Sequence, residues 1–109
     1  MQLSQAEITQ QNQQKYLISG VVDFSTVPDL IKKVSVYLQA YKQSEQAAKI
    51  EIDLSKITSC NSAALALMLE MVRQACLKNI TLLFKNLPEA LLTIAKAYGV
   101  ESEIRDISQ

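Results

Sequence analysis

Ser62 stands in the run Cys60-Asn61-Ser62-Ala63-Ala64-Leu65, where polar residues give way to an apolar stretch. A serine at such a boundary can cap a helix, act as a nucleophile, accept a phosphate or form a contact. A nucleophilic serine needs a base beside it, and the chain contains no histidine. The same absence removes Cys-His pairs and His-ligated metal sites. Cys60 and Cys76 do not have CxxC spacing. They read as small core or near-core residues in a reducing compartment. The carboxylates available for acid–base work, Asp23, Asp53, Glu70 and Glu89, are scattered, and no Gly-rich loop follows a strand. These features point away from an enzyme, a bound metal and a cofactor.

The Asn61-Ser62 corner has a physics of its own. The first N–H groups of a helix have no partner within it, and the helix dipole makes that end electropositive. Asn61 is a good N-cap whose side-chain oxygen can accept from the N–H of Ala63 or Ala64. Ser62 then occupies the first helical position with its hydroxyl near the surface. A phosphate there would meet the same N–H groups.

The helix that follows is expected from about Asn61 to Lys78. With Leu65 at the centre of the core face, Met68, Leu69, Val72 and Cys76 fall within about 60° of it, flanked by Ala64 and Ala75. Ala63, Leu67 and Met71 then lie on the far side, beside Glu70 and Gln74. Large apolar residues four apart on an outer face mark a partner-binding surface, are scattered surface hydrophobes, or are covered by another part of this chain. If a partner covers that face, Asn61, Ser62, Ala63, Leu67, Glu70 and Met71 form the partner-binding set.

Other elements must position this corner. Residues 3–8 alternate loosely as an edge strand, and residues 10–14 read as a turn or solvated strand end. Residues 15–22, "KYLISGVV", read as a strand with a bend or bulge at Gly20. Ser25 or Thr26 can cap a helix with Pro28 in its first turn. Val27, Leu30, Ile31, Val34, Leu38 and Tyr41 give that helix its apolar stripe, and "QSEQAA" closes it. Residues 49–55 alternate as a strand with Ile50, Ile52 and Leu54 on one face. Residues 79–84 form a short strand. "NLPEALLTIAKAYG" is a helix with proline in its first turn, with Leu91, Ile94, Ala95 and Tyr98 on one face, stopping at Gly99. The tail holds a short strand or turn of helix. The order β-β-α-β-α-β-α predicts a single α/β domain over residues 1–109, with a mainly parallel or mixed sheet of four to five strands and three to four helices.

Composition bounds the partners. Lys plus Arg equal Asp plus Glu at 11 each, so the electrostatic footprint of a nucleic-acid binder is absent. Zero net charge gives little colloidal repulsion, which leaves self-association as a homodimer, or membership of a larger assembly, open. The Gln-rich start has no apolar signal region, and no stretch has the length to span a bilayer. The expected location is cytoplasmic, with membrane attachment only through a partner.

Ile52-Asp53-Leu54-Ser55, followed by Asn61-Ser62-Ala63-Ala64-Leu65, resembles the corner of a STAS domain, the fold of anti-sigma factor antagonists and of anion-transporter tails. The texture of "ALALMLEMVRQA" and of residues 79–104, with Ala-Lys-Ala-Tyr-Gly ending the third helix, is similar to the MlaB group. These are stand-alone STAS subunits of the bacterial phospholipid-transport ABC system that maintains outer-membrane lipid asymmetry. The resemblance covers about residues 15–105. It implies a non-catalytic subunit at the inner membrane that docks on the ATPase of the complex and reaches the permease indirectly. It also places Ser62 on the position phosphorylated in anti-sigma factor antagonists, the alternative reading. Those antagonists usually carry Asp where this chain has Asn61 and Gly where it has Ala64. Asparagine keeps the cap and removes a charge.

Overall fold

The computed structural model describes residues 6–41 and 48–108. The elements are β1 (Ala6–Asn12), β2 (Lys15–Val22), α1 (Val27–Gln39), β3 (Ala48–Cys60), α2 (Ser62–Leu77), β4 (Ile80–Lys85), α3 (Glu89–Ala97) and α4 (Glu101–Asp106). The order matches the expected one, with the tail forming a short helix.

The sheet runs β1-β2-β3-β4. β1 pairs antiparallel with β2 as a hairpin, while β2–β3 and β3–β4 are parallel and joined by helices. Ile50, Ile52 and Leu54 of β3 are buried, and the residues between them are half-buried, which is the period-2 signature of a sheet covered on one face. Ile8, Tyr16, Ile18, Leu82 and Phe84 continue that buried face across the other strands. α2 touches α1 on one flank and α3 on the other, so the helices form a single layer. Extents of 40 × 37 × 19 Å agree with two layers rather than three. The open face of the sheet is polar: Glu51 pairs with Lys85 at 3.0 Å and with Lys15 at 3.8 Å. The hydrogen bond from Lys85 holds the Glu51 carboxyl below the usual glutamate range.

Several bounds differ from expectation for identifiable reasons. β1 continues through Asn12, because an edge strand needs only backbone pairing and its polar side chains face water; residues 3–5 of the expected strand lie outside the described residues. β3 extends from the expected Ser55 to Cys60, carried by parallel pairing that reaches Val22 opposite Cys60. Gly20, at φ 93°, marks the register shift between Gly20 and Val21, as its lack of a side chain allows. The expected closing segment of α1 falls mostly on residues 42–47, outside the described residues.

Helix ends follow local chemistry. Pro28 sits in the first turn of α1. Pro88 is the N-cap of α3 rather than a first-turn residue. α3 ends in a Schellman motif: Gly99 N–H donates to Lys96 O at 3.0 Å and Val100 N–H to Ala95 O at 2.9 Å. Gly99, at φ 73°, supplies the left-handed residue that this motif needs. Tyr98, expected on the packed face, is exposed, because it is the C-cap beyond the last helical turn. Phe84 donates its N–H to Ile107 O at 2.9 Å and bridges to Ser108, so the chain end covers part of the β4 edge.

Candidate functional site

The corner between β3 and α2 is built as the sequence requires. Asn61 is extended, at φ −129° and ψ −165°. Its N–H donates to Val22 O at 3.2 Å, which ties the corner to the end of β2. Its side-chain Oδ1 accepts from Ala63 N–H at 2.9 Å, and its carbonyl accepts from Ala64 N–H at 3.0 Å. Asn61 therefore does the capping, and the half-buried Ser62 is the first helical residue. Among the described residues the Ser62 hydroxyl has no hydrogen-bond partner. No acidic residue lies in the first turn of α2, so its positive end is not offset from within the helix.

The β2–α1 turn lies beside this corner, one residue beyond Val22. The Asp23 carboxylate accepts from Ser25 N–H at 2.8 Å, the Ser25 hydroxyl at 2.6 Å and Thr26 N–H at 3.2 Å. The Ser25 hydroxyl is the main reason the Asp23 carboxyl titrates below the usual range. The Thr26 hydroxyl donates to Val21 O at 2.9 Å and accepts from Asp23 N–H at 3.0 Å. A turn locked this way leaves Phe24 70% exposed. An exposed aromatic in a rigid turn is a contact candidate. The signal for it was present in "DFST", but a turn phenylalanine has no periodicity to mark it.

The outer face of α2 is the main correction. Ala63, Leu67 and Met71, expected at the surface, are 3%, 2% and 1% exposed. Leu69 and Cys76, expected in the core, are exposed, while Leu65 and Met68 are buried as expected. α2 lies mid-layer, over the sheet and between two helices, so more than half of its circumference is covered. A helix with apolar residues nearly all round offers two faces of similar hydrophobicity, and periodicity alone does not choose between them. Glu70 and Gln74 misled the choice, because their polar character reads as solvent-facing. Gln74 reaches α1 instead, and the polar groups of both residues are paired. Arg73 donates to both Glu70 oxygens, Nε at 2.9 Å and Nη2 at 2.7 Å, and Gln74 Nε2 donates at 2.8 Å. The Ser35 hydroxyl of α1 donates to Gln74 Oε1 at 2.8 Å. Arg73, with Gln74 after it, lowers the Glu70 pKa to about 2.

The exposed stripe of α2 therefore runs from Ser62 through Ala66, Leu69 and Arg73 to Cys76 and Leu77. Of the expected set, Asn61 and Ser62 stand at its head and Glu70 on its flank, while Ala63, Leu67 and Met71 belong to the core.

The scattered carboxylates stay scattered. Asp53 accepts from Ser55 N–H at 2.8 Å and Asn86 Nδ2 at 3.1 Å. Burial opposes its ionisation, the Asn86 and Ser55 bonds outweigh that, and its carboxyl titrates low. Asp23, Asp53 and Glu70 share no hydrogen-bonding partner, and Glu89 lies in the exposed first turn of α3. Cys60 is half-buried, and burial pushes its thiol pKa up. Among the described residues no cluster of His, Cys, Asp and Glu could hold a metal ion, and no helix is long and apolar enough to cross a membrane.

A mixed four-stranded sheet under one helical layer, with a capped Asn-Ser corner at the carboxyl end of its strands, defines a STAS-type α/β fold. Consistent with this, the chain superposes on a solved structure described as "Structure of the Anti-Sigma Factor Antagonist SpoIIAA in its Unphosphorylated Form". The TM-score is 0.65 at 13% identity, over 95% of this chain and 85% of that one. At that identity the likeness carries the fold. A search of curated proteins gives no match. A family model described as "Mlab, STAS domain" matches residues 8–106, and the chain belongs to that family.

Proposed function

We propose that this protein is a non-catalytic STAS subunit that binds the ATPase of a phospholipid-transport ABC complex at the cytoplasmic face of the inner membrane. Through the ATPase it would meet the permease, and the complex would serve outer-membrane lipid asymmetry. The observation that carries this reading is the family match over residues 8–106, whose description names the MlaB type. The exposed Phe24, in the turn that follows β2, and the exposed Leu69, on the stripe of α2 that Ser62 heads, support a docking role for this end of the molecule. In this reading they are the apolar anchors, and the Ser62 hydroxyl and the positive helix end supply polar contacts. Binding would stabilise the assembly-competent ATPase by mass action. The non-catalytic character is supported by the lack of a histidine base and by carboxylates engaged separately.

Co-expression with the ATPase should yield a co-purifying complex that Ser62→Asp weakens. Retention of the complex at wild-type yield by Ser62→Asp and Leu69→Glu together would remove the corner from the interface. A second reading, a partner-switching anti-sigma factor antagonist, is favoured by the fold likeness alone. It requires a phosphate on Ser62, which intact-mass measurement of protein isolated from cells would detect.

A further inference from the structure

Among the described residues Phe24 is the most exposed large apolar side chain, yet the turn that carries it is bonded from both ends. Asp23 accepts with two groups. Its carbonyl takes the N–H of Thr26 at 3.2 Å and of Val27 at 3.0 Å. Its side chain takes the Ser25 N–H, the Ser25 hydroxyl and the Thr26 N–H, and all three bonds end on one oxygen, Oδ1. Thr26 closes the turn from the far end, giving its hydroxyl to Val21 O and accepting from Asp23 N–H. Val22 and Val27, on either side of the turn, are both buried. Four residues strung between two buried valines and fastened at both ends have little backbone freedom.

The same turn is registered to the Ser62 corner. Val21 O takes the Thr26 hydroxyl, and the next carbonyl, Val22 O, takes the Asn61 N–H. Consecutive residues at the end of β2 thus carry the turn that bears Phe24 and the cap that precedes Ser62. A ring left this exposed buries little area in the fold. In an interface, an anchor already held in place spares the ordering cost that a floppy loop incurs on binding.

We propose that Asp23 and Thr26 are positioning residues for docking: they fasten the β2–α1 turn so that Phe24 stands at a fixed offset from Ser62 when the ATPase is met. This rests on the docking reading above, and on Phe24 being one of its anchors. The Asp23 charge plays no part in it, because the three bonds need only one accepting oxygen, which asparagine also supplies.

Titration calorimetry of the purified ATPase against the intact protein tests this, with each variant first shown by urea unfolding to be folded. Asp23→Ala should weaken binding about tenfold, the ordering cost of one backbone residue expressed as affinity. Asp23→Asn should stay within about twofold of wild type. Thr26→Val, which opens the turn from its other end and keeps the side-chain shape, should weaken binding in the same direction as Asp23→Ala. In a Phe24→Ser background Asp23→Ala should add less than about twofold, since the residue it positions is gone. Wild-type affinity in folded Asp23→Ala and Thr26→Val proteins, while Phe24→Ser binds weakly, would overturn the proposal and leave the docking surface standing. An Asp23→Asn loss equal to that of Asp23→Ala, or a full tenfold loss in the Phe24→Ser background, would also overturn it, because Asp23 would then act by its charge or by its own contact. Wild-type affinity in Phe24→Ser would remove Phe24 from the interface and overturn the positioning role together with that anchor.

Discussion

The inner and outer faces of α2 are built from nearly the same residue types and do opposite work. Inward, Leu67 and Met71 fill the space between sheet and helices and are almost fully buried. Outward, Leu69, Cys76 and Leu77 lie exposed below Ser62. Met71 and Leu69 are about 160° apart around the helix, so rotating it by less than half a turn exchanges them. What separates the faces is position in the layer, since α2 has α1 on one side and α3 on the other. Hydrophobicity read along a helix thus reports how much of it is covered, and the neighbouring elements decide which part.

The largest expected effect breaks this comparison from the inside. Leu67→Glu would place a carboxylate without a partner in the core, and Met71→Glu would do the same. The gentler Leu67→Ala should cost about 2–5 kcal/mol, a large fraction of the roughly 5–15 kcal/mol that holds a typical domain together. Leu69→Glu should instead stay within about 0.5 kcal/mol of wild type, as surface changes do. Urea unfolding of the two leucine variants side by side checks the assignment, and equal losses would mean that the faces are not distinct.

Much of this molecule is legible from its sequence, and the reasons divide by region. The β2 bounds, the Asn61 cap, the Gly20 irregularity and the Gly99 stop rest on local chemistry, and local chemistry is written in neighbouring residues. The stretch from Ser55 to Cys60 joins β3 through pairing with a strand some forty residues earlier, which no local pattern records. The face of α2 depends on two other helices. Phe24 is exposed because Asp23 and Thr26 tie up the turn around it, and a hydrogen-bonded turn has no hydrophobic period. The corner was therefore readable down to Ser62, and the surface extending from it was not.

A smaller effect sharpens the division of labour within the corner. Asn61→Ala should destabilise the protein by about 1 kcal/mol through loss of the cap to Ala63 N–H. Ser62→Ala should leave stability nearly unchanged, because its hydroxyl has no bond to lose among the described residues. Thermal denaturation of both variants separates cap from contact.

The smallest effect concerns the flank of the stripe. The Glu70 pKa is lowered in the folded protein, from an ordinary 4.5 to about 2, by Arg73 and Gln74. A group depressed on folding contributes stability above its unfolded pKa and loses it as pH falls through the folded value. The Glu70 contribution should thus fade between about pH 4.5 and about pH 2. Solvent screening keeps it small. Glu70→Gln should flatten part of the acid limb of a stability–pH curve, while Asp23, Glu51 and Asp53, also shifted down, retain the rest.

The most direct measurement is co-purification of the ATPase with two folded variants, Phe24→Ser and Leu69→Glu, each shown by urea unfolding to keep wild-type stability. Docking through this surface predicts that both lose the ATPase, with at least a tenfold drop in recovered complex, and that Val36→Ser, at an exposed apolar position on α1, does not. Full recovery of the ATPase by both variants would contradict it.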